Sequence, residues 1–339
     1  MIGRAAAVAA LVALLAPAAR GQAPAPTPAP REAELQTFIN PDAKDVATKL
    51  DLLIHTLYEV NQRLVALQFQ QQYGDRVRME KVMIPNKEAD LVPGYVFTPV
   101  KMEAAKRHPA IVAVHGGFHY SLDDEFFGYL ERFVREGYVV IFPEYRGSRG
   151  YGKEHYDAQE YGGADVDDVL SAADLIASKP YVDPQRLGIV GRSRGGMVTL
   201  LAIERAPKRF QAAVDVVGLA DFLMYMAYKP EYRRQEVAEE PHLEGMPFDN
   251  LEKYIEISPV NHVAKIETPL LVHATTHDKT VPHQLHSARL VELLEAYGKT
   301  YEYKLYERAP GGHSYVYGDT PEARDSMERV VAFLARYLK

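Results

Sequence analysis

The chain has 339 residues, enough for one large α/β domain with extensions, and too few for that domain plus a β-propeller, whose several blades take roughly 40–50 residues each. Its net charge of −7, from 39 basic and 46 acidic side chains, gives no sign of a nucleic-acid partner. Cysteine is absent, which excludes a disulfide framework and a thiol nucleophile, and tryptophan is absent too, while tyrosine occurs 22 times.

The first residues read as an export signal. Arg4 supplies the positive start, Ala5 to Leu15 is an uninterrupted apolar run, Pro17 breaks it, and Gly21-Gln22-Ala23 offers small residues for cleavage. Residues 1–23 are therefore expected to be removed, which would leave a secreted or periplasmic protein starting near Pro24. The apolar run is too short to span a bilayer as a mature helix. Residues 24–42, where Ala, Pro and Thr alternate as far as Pro30, read as an extended linker.

A helix is expected within 43–75, from about Ala43 to Gln72. Val46, Leu50, Leu53, Leu57, Val60, Leu64 and Leu67 step alternately by four and three, the spacing of a coiled-coil seam. Such a stripe serves either a homodimer or packing against the chain's own domain. Three heptads make a short coiled coil, and Leu52, Ile54 and Val65 widen the stripe, so packing on its own domain is the expectation and a homodimer through this helix the alternative.

From residue 76 onward the pattern is that of a catalytic-sized α/β domain. Val82–Pro85 and Tyr95–Pro99 read as an antiparallel pair joined by a polar turn. Ala110–Val114 and Tyr138–Phe142 are continuous apolar runs, as buried parallel strands are. Helical patterns follow at Phe126–Glu136 and Val166–Ser178, and then the strand Leu187–Val190. Further strands are expected at Ala212–Val217, Leu270–Ala274 and Tyr301–Leu305, with helices at Leu285–Tyr297 and Pro321–Leu338. This alternation predicts a mostly parallel, doubly wound sheet with covering helices, which together with the serine turn described next makes an α/β-hydrolase fold the expectation. Residues 221–257 break the alternation and read as a small helical insertion capping the substrate entrance.

The most informative segment is Gly191-Arg192-Ser193-Arg194-Gly195-Gly196, between a strand and a helical pattern. A Gly-x-Ser-x-Gly in that context is a nucleophile elbow. The turn is tight, glycine avoids collisions on either side, and the serine hydroxyl stands clear of the sheet. Serine at its own pKa is a weak nucleophile and needs an oriented base. In this fold the partners follow in the order acid, then histidine. Asp278 lies just past the strand ending at Ala274, and His313, in Gly311-Gly312-His313-Ser314, lies past the strand Tyr301–Leu305. The expected triad is Ser193 as nucleophile, His313 as base and Asp278 as orienter.

Gly116 and Gly117, after the strand Ala110–Val114, together with the backbone N–H of Arg194, are the expected oxyanion donors. His115 and Phe118, flanking those glycines, and Tyr225 and Tyr228 in the insertion, are the candidates for substrate contact. His283 and His286 have helical ligand spacing, but no third ligand accompanies them, so neither metal nor cofactor is expected. The Arg194 side chain either favours an anionic substrate group or pairs with a helix carboxylate.

These motifs, taken together, resemble the catalytic domain of the prolyl oligopeptidase family of serine peptidases. The resemblance covers roughly Val82 to Lys339. It rests on His115-Gly116-Gly117-Phe118, Tyr145-Arg146-Gly147-Ser148-Arg149-Gly150-Tyr151-Gly152, the run around Asp168, the serine elbow, Ser258-Pro259-Val260, Asp278-Lys279-Thr280-Val281-Pro282 and Gly312-His313-Ser314. It implies a serine hydrolase that cleaves a small peptide through an acyl-enzyme on Ser193. Two departures bear on substrate. The propeller of these peptidases has no room here, and His115 stands where prolyl-specific members place an oxyanion-binding tyrosine. A carboxylesterase acting on acylated sugars or other small esters is the alternative, and a non-catalytic binding protein on the same fold a further one.

Overall fold

A computed structural model describes residues 45–103, 106–240 and 242–339. The expected export signal and linker lie outside the described residues. The chain divides into two units, one ending at Leu53 and one running from Ile54 to Lys339. The described part of the first, residues 45–53, is the beginning of a helix that continues into the second.

That helix, α1, spans Val46–Tyr73. The second unit is built on eight strands: β1 (Val77–Pro85), β2 (Leu91–Pro99), β3 (His108–Val114), β4 (Val139–Pro143), β5 (Val182–Arg192), β6 (Ala212–Val216), β7 (Leu270–Thr275) and β8 (Tyr301–Tyr306). They form one sheet in the order β1-β2-β4-β3-β5-β6-β7-β8. β1, β2 and β4 pair antiparallel, and every pairing from β4 through β3 to β8 is parallel. β3, β4, β6 and β7 are buried along their whole length, which is why they read as continuous apolar runs.

The helices between strands are α2 (Phe127–Arg135), α3 (Lys153–Asp157), α4 (Ala164–Ala177) and α5 (Arg194–Arg205). The expected insertion consists of three short helices, α6 (Phe222–Tyr228), α7 (Glu231–Ala238) and α8 (Leu251–Glu256). Helices α9 (Ser287–Ala296) and α10 (Pro321–Leu338) complete the chain. Two apolar cores cover the two faces of the sheet, one centred on α4, α5 and the insertion, the other on α2, α10 and the end of α1. Among the described residues, no helix is long and apolar enough to cross a membrane.

Helix α1 corrects the expectation about its heptad stripe. Within the second unit the stripe does not pack on the domain: Leu57, Val60, Leu64 and Leu67 are 46 to 65 % exposed. Within the second unit a different face is buried, made by His55, Gln62, Val65 and Phe69. Phe69 meets the rings of Phe97 and Phe127 edge-on at 5.0 Å. Gln62 bonds the Ser121 hydroxyl and donates to the Leu122 carbonyl at 3.2 Å. Within that unit the domain holds this helix by that face, and Leu57, Leu64 and Leu67 point away.

Candidate active site

Ser193 sits between β5 and α5 with φ 59° and ψ −123°, a left-handed conformation that a side chain adopts only under strain, of order 1–3 kcal/mol. The surrounding backbone enforces it. A Cβ on Gly191 would strike the Gly195 carbonyl and the Thr199 hydroxyl, and a Cβ on Gly195 would strike the Val114 and His115 carbonyls. The elbow is pinned to the sheet by the Ser193 N–H, which donates to the Val216 carbonyl at 3.0 Å.

Three loops at the carboxyl ends of parallel strands bring the triad together. The Ser193 hydroxyl donates to His313 Nε2 at 2.9 Å, and His313 Nδ1 donates to Asp278 Oδ2 at 2.7 Å. The other Asp278 oxygen accepts from the N–H groups of Thr280 and Val281, both at 2.8 Å, which fixes the carboxylate plane. This pattern places the histidine proton on Nδ1 and leaves Nε2 free to act as base. Burial holds the His313 imidazole below its usual value of 6.5, with the Asp278 hydrogen bond pulling the other way. The ring is therefore neutral at neutral pH, the form a base needs.

The expected oxyanion donors stand at the end of β3 and the start of α5. Arg194 is the first residue of α5, so its N–H has no intrahelical acceptor. Gly116 packs directly on the nucleophile: a Cβ there would lie 3.0 Å from Ser193 Cβ. Gly116, Gly117 and Arg194 all line the cleft that contains Ser193 and His313, about 480 Å³ in volume. The peptide before Gly116 is held from beneath, since the Tyr145 hydroxyl donates to the His115 carbonyl at 2.9 Å.

The four expected substrate contacts divide. Phe118 and Tyr225 line the cleft, joined there by Tyr161. His115 does not. It is 1 % exposed, stacked on Tyr145 at 4.2 Å with Nε2 3.0 Å from the Ser148 hydroxyl, and burial pushes its pKa down to about 3. Its ring turns under the oxyanion loop into the protein. Tyr228 is also corrected: its hydroxyl donates to the Thr280 carbonyl at 3.1 Å and lies 2.9 Å from His286 Nε2, so it braces the insertion against the Asp278 loop. That contact gives His286 a structural partner. No cluster of three metal-ligating side chains occurs among the described residues.

The side chains flanking the serine are both engaged. Arg194 pairs with Asp165 of α4 at 2.9 Å, donates to Gln159 at 2.8 Å and lies 3.8 Å over the Tyr161 ring. Of the two roles open to it, pairing with a helix carboxylate is the one it takes. Arg192 reaches across to the base loop, donating to the His313 carbonyl at 2.7 Å and the Tyr317 hydroxyl at 3.1 Å. Lys229 and Arg233, from the insertion, also line the cleft. Sequence reading missed them, because neither belongs to a motif and the packing of the insertion carries no periodic signal.

An α/β-hydrolase sheet with an oriented Ser–His–Asp line at its carboxyl edge defines a serine hydrolase. The model of the prolyl oligopeptidase family matches residues 125–339, and the chain belongs to that family. Among curated proteins it is 31 % identical over 212 residues to the uncharacterized peptidase YuxL of Bacillus subtilis, covering 60 % of this chain and 31 % of that one. It is 30 % identical over 223 residues to acylamino-acid-releasing enzyme 1 of Oryza sativa subsp. japonica, covering 60 % of this chain and 28 % of that one. The chain thus spans less than a third of these relatives. Among solved structures, a puromycin-hydrolyzing peptidase of Mycobacterium tuberculosis superposes with a TM-score of 0.67 at 26 % identity, over 77 % of this chain and 39 % of that one. The Pyrococcus horikoshii acylaminoacyl peptidase shares the fold, with a TM-score of 0.68 at 21 % identity over 81 % of this chain and 43 % of that one.

Proposed function

We propose that this protein is an exported serine peptidase that cleaves small peptides through an acyl-enzyme on Ser193. The observation that carries this reading is the hydrogen-bonded line Ser193–His313–Asp278 opening onto the cleft. Ser193 Oγ attacks the scissile carbonyl while His313 Nε2 takes its proton. The N–H groups of Arg194 and of the Gly116-Gly117 loop receive the developing oxyanion. His313 returns the proton to the leaving amine, then deprotonates the water that releases the acyl group. Phe118, Tyr161 and Tyr225 form an aromatic wall suited to an apolar side chain beside the scissile bond.

The same triad cleaves esters, whose leaving groups are better, so the deciding measurement compares the two. Hydrolysis of peptide p-nitroanilides and of short p-nitrophenyl esters is followed with the protein and with Ser193→Ala. Serine-dependent amide turnover supports the peptidase. Ester turnover alone would replace it with a carboxylesterase, and no serine-dependent turnover of either would leave a binding protein.

Export rests on the sequence of residues 1–23, and intact mass of the protein recovered from a secreting host tests it. The exposed stripe of α1 supports a homodimer through this helix. It is about 32 Å long at 1.5 Å per residue, and its 4-3 spacing is that of a knobs-into-holes seam. Lys49 and Arg63, which flank the stripe, would face Ile54 and Gln68 of a parallel partner, whereas antiparallel pairing would oppose them to each other.

A further inference from the structure

The chain is acidic, with a net charge of −7, yet its catalytic cleft is not. Among the described residues four cationic side chains line it, Arg192, Arg194, Lys229 and Arg233, against one carboxylate, that of Glu125. Two of the four are committed elsewhere. Arg194 is neutralised by Asp165, and Arg192 is bound to the His313 carbonyl and to Tyr317. The remaining two come from the insertion, at the junction of α6 and α7.

Lys229 follows the last residue of α6. Its ammonium donates to the Thr280 carbonyl at 2.8 Å and lies 4.7 Å from the Tyr225 ring centre, and among the described residues it pairs with no carboxylate. Arg233 lies 4.0 Å over the ring of Phe118. Its carboxylate partner, Glu236, is bound at 2.5 Å through Nη1 alone and is 43 % exposed, so the pair is solvent-screened and contributes little. The two cations sense each other: burial lowers the Lys229 pKa first, the Arg233 charge lowers it further, and the Asp278 carboxylate opposes both. Two like charges at one wall of a half-enclosed cleft repel, and an anion bound beside both relieves that repulsion while gaining charge-assisted hydrogen bonds.

We propose that the cleft selects substrates carrying a carboxylate near the scissile bond, received by Lys229 and Arg233. This rests on the catalytic reading above and narrows it. The carboxylate is either an acidic side chain or the free C-terminus of a short peptide, and the field of the cleft attracts both.

The test uses matched peptide p-nitroanilides and internally quenched peptides that differ by one charge, Glu against Gln at each position flanking the scissile bond, and free C-terminus against amide. The protein is expected to favour the anionic member of at least one pair by tenfold or more in kcat/KM, with the preference shrinking as salt rises. The series showing it identifies the source of the carboxylate. Lys229→Met and Arg233→Gln are each expected to lower kcat/KM for the anionic peptide severalfold more than for its neutral match. No preference in either series overturns the proposal, as does an equal loss on anionic and neutral peptides in both variants. Because Lys229 also touches the Asp278 loop, Arg233→Gln keeps the test independent of damage there. Calorimetric binding of the same peptides to Ser193→Ala reads the preference without turnover. Preferential binding with no turnover in the intact protein would keep the anion site and discard the peptidase.

Discussion

Arg192 binds the carbonyl of the residue whose ring accepts from its neighbour Ser193: its Nη2 donates to the His313 carbonyl at 2.7 Å. The elbow and the base loop are thereby joined by one side chain, which also lies 4.4 Å from the centre of the Tyr317 ring. Its charge is one of the causes that hold the His313 pKa down. Arg192→Met is expected to lower kcat by about 10-fold or more through loss of alignment. Removing the charge raises the His313 pKa, so the acid limb of the kcat/KM profile moves to higher pH. Arg192→Lys keeps the charge without the fork, and is expected to recover the limb more fully than the rate. A pH–rate profile of the three proteins checks both.

In the proposed mechanism the working form of His313 is neutral, and burial holds its pKa below the usual 6.5. Activity is therefore expected to be present at neutral pH and to fall as pH drops through that depressed value. Asp278→Asn removes the acceptor that places the proton on Nδ1, and kcat is expected to fall by about 10⁴-fold, the size found when a triad histidine loses its tautomer. Steady-state rates from pH 4 to 9 measure both effects.

Tyr145 acts through the oxyanion loop. Its hydroxyl is the group that holds the His115 carbonyl, and so the peptide leading to Gly116. Tyr145→Phe keeps the stack on His115 and deletes only that bond, a loss of about 1 kcal/mol. The expected result is a kcat several times lower with KM little changed, since the donor is needed most in the transition state.

The outward stripe of α1 predicts a solution state. Val60→Glu with Leu64→Glu places two charges at its middle, where both side chains are about half exposed, so the fold itself is expected to tolerate them. Light scattering should show a dimer for the natural chain and a monomer for the variant, with kcat unaltered. A natural chain that is already monomeric at micromolar concentration would dispose of the dimer.

Much of the sheet was legible because burial on both faces leaves an unbroken apolar run, as in Ala110–Val114 and Leu270–Ala274. Helix α10 was legible to the residue, since Thr320 caps it with a bond to the Ala323 N–H and Pro321 opens it. Polar strand ends were not. β1 begins at Val77 and β5 at Val182, in stretches whose charged residues carry no strand pattern but pair by main-chain bonds. The five residues of α3 are too few for a helical period. In the site, chain order and glycine spacing located Ser193, Asp278 and His313. They could not say that the His115 ring turns inward, because a side chain's direction at a strand end is set by what lies beneath it. Periodicity likewise disclosed an apolar face on α1 but not what that face meets.

Directly behind the elbow, the Asp215 carboxyl on β6 is wholly buried, with its pKa pushed up to about 7 by that burial. It fills the space on which any Cβ at Gly196 or Gly218 would intrude. Gly196, at the start of α5, therefore shares one small space with Asp215, near the end of β6, and Gly218, just past it. Alanine at 196 would meet both the Asp215 carboxyl and the Cα of Gly218, so shortening residue 215 alone would not make room for it. The glycine that follows the elbow is thus demanded by the neighbouring strand β6 rather than by the turn itself.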